Sequence, residues 1–419
     1  MNPIKKHNSI NNFFFNLSCI LFCLIPISLI TGPFFPDLFL TLISLIYLFL
    51  FFKKDQFDEI LKKFIYISLI FYFFIVISSL TSEIKLISLK SSLFYFRFIF
   101  FVPSIIYLFK NNKNLNTYFL NVIFITFIIL IADSLLQYFI GYNIFGYEPI
   151  NIADIDKRIT GMFGDDEILG SYLSKFLPIL LSFIFLSNLK NKELITITSI
   201  VLFGLCIFIS SERTSFIHYL IFSFLFISLS NLNIKKKFIL LLIVPIVILI
   251  TFIDSGKKHR MLLSTFYSIK SLQFSKYHSD HYKTAYKMFL DKKIIGHGPK
   301  SFRFKCSDAK YKISKNSCST HPHNTYFQLL SETGILGFIV IFSLFIYLSF
   351  LILKIFYYKF ILKNNLYLNS QVSIICGLFV YLFPISPNGN FFNNWLNVIF
   401  FIQILLFFLT NFKSSKRKI

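Results

Sequence analysis

Residues 254–325 hold 15 lysines and arginines against four aspartates, Asp254, Asp280, Asp291 and Asp308. The same stretch carries His259, His278, His281, His297, His321 and His323. It is strongly cationic and rich in groups that titrate near neutrality. Two chemistries fit. Arg and Lys could clamp a membrane-borne anion such as a lipid pyrophosphate through charge-assisted hydrogen bonds, or a solvated loop could rest on anionic lipid headgroups. Cys306 and Cys318 lie in this stretch close to His321 and His323, in the order C-x11-C-x2-H-x-H. That spacing fits none of the common zinc patterns, and an extracytoplasmic setting favours oxidation, so a disulfide is expected and no metal. Asp154 and Asp156 form a D-x-D in the 141–168 loop. Such pairs hold divalent cations in some sites and arise by chance in many polar loops.

Composition says where these groups must be held. The chain has 419 residues, 55% hydrophobic and 20% aromatic, with a mean hydropathy of +0.69, which is more apolar surface than a water-soluble fold hides. A formal charge of +23 would suggest nucleic acid in a soluble protein. Here the lysines sit between apolar runs, where they orient helices instead, and no nucleic-acid partner is expected. Runs long enough to span occur near 13–30, 35–52, 64–80, 92–109, 117–140, 169–187, 194–210, 215–230, 237–253, 327–353, 371–384 and 395–411, so about twelve spans are expected. The first run follows Lys5 and Lys6 but continues into TGPFFPD without a small-residue cleavage site, and is read as a retained helix. A cytoplasmic N-terminus puts about twenty Lys and Arg on the inner side and about five in the short outer loops. Both termini are then cytoplasmic and 254–325 is a large periplasmic loop, long enough to be exempt from that charge rule. The expected organisation is helices over 1–253, the loop over 254–325, and helices with a cytoplasmic tail over 326–419. No repeat and no phosphate-binding glycine loop appears, so neither ATP nor another cofactor is expected.

The segment STHPHNTYFQLLSETGILGF leads from the loop into the tenth span. It resembles the signature of the O-antigen ligase and polymerase superfamily: a His-Asn pair, an aromatic and a Glu-x-Gly-x-x-Gly, here His323, Asn324, Tyr326, Glu332, Gly334 and Gly337. KMFLDKKIIGHGPKSFR is similar to that family's amphipathic helix and G-x-G turn, SSERTSF to its Arg-bearing span end, and RITGMFGDDEILGSYL to an earlier outer loop. The family usually carries a further Arg before the amphipathic helix. This chain reads HSDHYKTAYKMF there, and the role falls to His281 or to Arg303.

The resemblance implies an all-α, GT-C-like membrane bundle and a metal- and ATP-independent glycosyltransferase in the bacterial inner membrane. Its donor is an undecaprenyl-diphosphate-linked glycan. A ligase uses a lipid A-core acceptor, a polymerase the growing glycan. In such a site His323 is the expected general base, with His321 two residues away as the other candidate. Arg213 and Arg158 would hold the leaving diphosphate without metal, and His281, Arg303, Asn324 and Glu332 would contact substrate. Arg97, inside the fourth apolar run, either touches the donor lipid or forms a structural ion pair. The competing class is a transporter, but transporters gather titratable groups at the midplane, whereas here they crowd at one face.

Overall fold

In a bilayer the backbone must satisfy its own hydrogen bonds, so long apolar runs become helices. The computed structural model describes residues 3–52, 57–153, 156–237, 261 and 276–415. It begins with α1 (Pro3–Ser28), α2 (Phe34–Ile46), α3 (Glu59–Leu80), α4 (Lys85–Leu93), α5 (Phe96–Asn111) and α6 (Leu115–Ile140). An antiparallel hairpin of β1 (Ile150–Ala153) and β2 (Asp156–Arg158) precedes α7 (Leu169–Leu186), α8 (Lys192–Ile209) and α9 (Arg213–Leu229). The basic segment contributes α10 (Lys276–Asp291) and the single turn α11 (Phe302–Lys305). Then come α12 (Thr325–Phe356), α13 (Asn369–Tyr381) and α14 (Asn394–Ser415).

The fold is all-α and polytopic. Among the described residues, nine helical segments are long and apolar enough to cross a membrane, and α9 and α13 are shorter apolar helices. The expected run 237–253 lies outside the described residues, as do Asp154, Asp254 and His259. α7 is buried almost all round, from Leu169 to Ile184, and touches α6, α8, α9, α13 and α14. A helix apolar on every side belongs inside a bundle. α3 is its opposite: Ile60, Tyr66, Ile67, Ile70 and Phe73 are exposed, as suits a face turned to lipid.

Three departures from regular helix shape the end of the bundle that carries the basic segment. The expected span 92–109 is broken at Phe94–Tyr95, between α4 and α5. Arg97 is therefore the second residue of α5, just after the break. Second, α12 breaks at Gly334, whose φ of 65° and ψ of −165° no helix adopts. The carbonyls freed there accept from the basic segment: His297 N donates to Ser331 O at 3.0 Å and Gly298 N to Glu332 O at 2.8 Å. In return Ile335 N donates to Lys293 O at 2.8 Å. A Cβ on Gly334 would stand 2.3 Å from Ile294 O, and one on Gly296 2.5 Å from the Glu332 carbonyl carbon, so both glycines are required by close backbone approach. Third, residues 382–393 run without helix between α13 and α14 as a strap across the start of α12. Non-helical backbone at such a depth is tolerated where protein covers it.

The basic segment has its own small core of Ala285, Met288, Phe302, Cys306 and Tyr311, packed by Phe327 of α12. Lys305 Nζ, 2.6 Å from Glu83, ties it to the turn between α3 and α4. Inside the bundle lies an apolar cavity of about 460 Å³, lined among others by Phe64, Phe71, Tyr95, Leu344, Phe401 and Phe408. No histidine lines it, and Phe71 packs against Tyr95 and Phe391 at ring distances of 5.8 and 6.1 Å.

Candidate active site

The head of α12 is built by Asn324. Its Oδ1 accepts from Tyr326 N and Phe327 N at 2.9 and 3.2 Å, an N-cap, while its Nδ2 donates to Pro384 O of the strap at 2.7 Å. The strap is fastened further by Tyr326 Oη to Leu382 O at 2.6 Å, Gln328 Nε2 to Asn390 Oδ1 at 2.8 Å and Phe391 N to Gln328 Oε1 at 2.9 Å. Asn388 N donates to His323 O at 2.8 Å. His323 has a φ of +59°, a left-handed conformation that costs a non-glycine residue about 1–3 kcal/mol and persists only where its surroundings enforce it. Asn324 thus shapes the turn from inside the protein.

Four imidazoles converge on that turn. The His323 ring centre lies 4.1 Å from that of His321, 5.2 Å from His278 and 5.4 Å from His281. His321 is buried with both nitrogens engaged: Nε2 lies 3.2 Å from Asn388 O and Nδ1 2.9 Å from Thr320 Oγ1. A carbonyl only accepts, so Nε2 carries the proton and Nδ1 accepts from the threonine hydroxyl. His323 is partly exposed, with Nε2 2.9 Å from Ser319 Oγ. Burial, aided by His321, His278 and His281, pushes His323 down to about 3. Burial likewise lowers His321 to about 4, opposed by the Asn388 carbonyl and aided by Arg303. Both rings are therefore neutral at pH 7. Burial also lowers His281, whose ring is held by the Cys318 and Asn316 backbone. The Cys306–Cys318 disulfide forms as expected, with Cα atoms 5.1 Å apart, and so fixes the backbone behind His281. Among the described residues no group of three or more His, Cys, Asp or Glu is arranged to hold a metal.

Cations surround this cluster. Arg213 opens α9 and its charge bears on His278. Arg158, at the end of β2, is ion-paired with Glu167. Arg303, exposed on α11, bears on His321 and on Lys300. Arg97 points elsewhere: its guanidinium is 2.6 Å from the Asp37 carboxylate and donates to Phe94 O at 3.0 Å. Of its two expected roles, the ion pair is the one formed. Glu332 is fully buried, and its carboxylate accepts from Lys300 N, Phe302 N and Gln328 Nε2 at 3.0, 3.0 and 2.9 Å. Those bonds place it behind the site, holding α11, where the sequence suggested substrate contact.

Lys300 is the residue that sequence reasoning missed. Its φ is +63°, Glu332 holds its backbone nitrogen, and burial together with Arg303 pushes its ammonium below the ordinary lysine value. Among the described residues neither Lys300 nor Arg303 has an ion-pair partner. The only sequence signal for Lys300 is its place directly after the G-x-G-P turn.

Residues 198–342 match a family model described as O-antigen ligase. The matched stretch contains Arg213, His281, Arg303, His321, His323, Asn324 and Glu332, so that this part of the chain is similar to the O-antigen ligase family. Arg97 and Arg158 lie outside it. No curated protein matches the chain.

Proposed function

We propose that this chain, carrying an O-antigen ligase domain over residues 198–342, is an inner-membrane glycosyltransferase. It moves a glycan from undecaprenyl diphosphate to a hydroxyl of lipid A-core at the periplasmic face. The observation that carries the reading is the partly exposed, neutral His323 on its left-handed turn, grouped with His278 and His321, on which the charges of Arg213 and Arg303 bear.

In this reading His323 accepts the proton of the acceptor hydroxyl as its oxygen bonds to the anomeric carbon. The bond from that carbon to the diphosphate oxygen breaks with its electron pair, and undecaprenyl diphosphate leaves. Arg213, Arg303 and Lys300 hold the negative charge that gathers on the leaving group, where fixed cations replace a metal. Arg158 joins them by giving up Glu167. His321, with both nitrogens engaged, holds the strap and supports His323 as the base. His281 and Asn324 set the shape of the pocket, and Glu332 positions Lys300 and α11. An anion brought beside His323 raises its affinity for a proton, so the base strengthens when the donor binds.

A polymerase reading uses the same donor with the growing glycan as acceptor. The surface polysaccharide of a deletion strain separates the two. The ligase reading expects lipid A-core without glycan while long chains accumulate on the carrier lipid. Single repeat units on lipid A would point to the polymerase, and an unaltered profile would remove both.

A further inference from the structure

The strap that shapes the His321–His323 turn is also fastened from α9. His218, in the middle of α9 and only 4% exposed, has Nε2 2.6 Å from Ser386 Oγ. Ser386 stands two residues before Asn388, which holds both the His323 carbonyl and the His321 ring. His218 stands five residues after Arg213 on the same helix, an axial rise of about 7.5 Å. The start of that helix is tied down separately. The Glu212 carboxylate, directly before Arg213, accepts from Gly170 N and Ser171 N of α7 at 2.6 and 2.9 Å, and from the Ser215 hydroxyl at 2.9 Å.

The geometry points to His218 as a positioning residue: its bond to Ser386 sets the distance between Arg213 on α9 and His323 on the turn. This rests on the transfer reading above. Glu212 fixes where α9 stands against α7, and Asn388 fixes His323 against the strap. Beyond helix packing, a direct bond between helix and strap makes the cation and the base one unit, and His218–Ser386 is such a bond. It is deeply buried, so water does not compete for it, and a polar side chain inside an apolar bundle is retained for the contact it makes. Misplacement of reacting groups by about 1 Å costs on the order of a hundredfold in rate, so a residue that never touches substrate can govern turnover.

The test compares His218→Ala, His218→Gln, Ser386→Ala and the double variant H218A/S386A in the full-length protein in nanodiscs. The amide of Gln reaches the same hydroxyl. H218A is expected to lower kcat about ten- to a hundredfold with KM for the lipid-linked donor unchanged. H218Q should recover most of the loss, S386A should match H218A, and the double variant should be no slower than either. Losses that multiply in the double variant, or an H218Q as slow as H218A, would overturn the proposal. An activity-independent arm places spin labels at Thr214→Cys and Ile385→Cys. The distance between them should be narrow in the parent and broad in H218A and S386A, and an unchanged distribution would also overturn it. If H218A fails to accumulate, H218Q and S386A carry both arms. If the parent protein transfers no glycan, the transfer reading fails, and the label distances still decide whether His218 couples helix to strap.

Discussion

Side chains of the same type at this site divide the work according to what already occupies them. His321 and His323 stand two positions apart in the sequence, and their spacing leaves open which is the base. Hydrogen bonds separate them: His321 has both nitrogens committed, while His323 sits partly exposed. The same logic reassigns Glu332, whose carboxylate is filled by backbone and amide donors, and Arg97, which is held by Asp37. Apart from Thr320 beside His321 and Gln328 one turn before Glu332, those partners are remote in sequence, so composition and spacing could not show them. What the sequence does show is the set of titratable types and their order, and that much of the site was legible. Transfer needs neutral His323, which burial and its neighbouring imidazoles hold near 3 in the free protein. Activity is therefore lost only as pH falls through that depressed value, and kcat/KM should keep its plateau below the ordinary histidine value of 6.5. Bound diphosphate raises the group, so the acid limb of kcat should lie at higher pH than that of kcat/KM. Coincident limbs at the ordinary value would show that a solvated histidine controls the reaction.

At the scale of elements, hydropathy identifies spans well and their interruptions poorly. The run through α12 carries Ser331, Glu332 and Thr333 directly before Gly334, and the backbone exchange with residues 293–298 reveals that the helix breaks there. The gap between α4 and α5 falls among Phe, Tyr and Phe, where no proline or glycine marks it. The strap 382–393 reads as the tail of one apolar run and the start of another, yet its backbone shapes the histidine turn. By contrast, the cysteine pair in a polar loop carries local chemistry that survives folding and is bonded, whereas Asn324, expected to contact substrate, is engaged as the N-cap of α12 and on the strap. The break in α12 gives a stability prediction. Gly334→Ala places a methyl against Ile294 O in a conformation with φ of +65°, so it should cost at least about 1–3 kcal/mol. Thermal melting in detergent reads this as a lower midpoint, and an unchanged midpoint would mean that the exchange between α12 and the basic segment is not needed for stability.

Over the whole molecule, apolar bulk and chemistry are sorted to different places. The cavity of about 460 Å³ is lined by no histidine and by none of Arg213, Lys300 and Arg303; apart from His218, buried in α9, the turn before α12 and the basic segment carry His278, His281, His297, His321 and His323 at one end, with Arg213 at the start of α9. That crowding at one end fits transfer at a membrane face better than passage through the midplane. Part of the charge excess has a structural explanation: the lysines and arginines of 276–325 serve partly to fasten the segment, as Lys305 does to Glu83, and partly to supply charge to the histidines, as Arg303 does to His321. The central claim is that His323 takes the proton in glycan transfer. The direct measurement is single-turnover transfer from a defined lipid-linked glycan to lipid A-core by purified protein in nanodiscs, comparing the parent with His323→Ala at equal membrane insertion. The account predicts a loss of about 10²–10⁴ in rate with donor binding retained; transfer at the parental rate in the variant would contradict it.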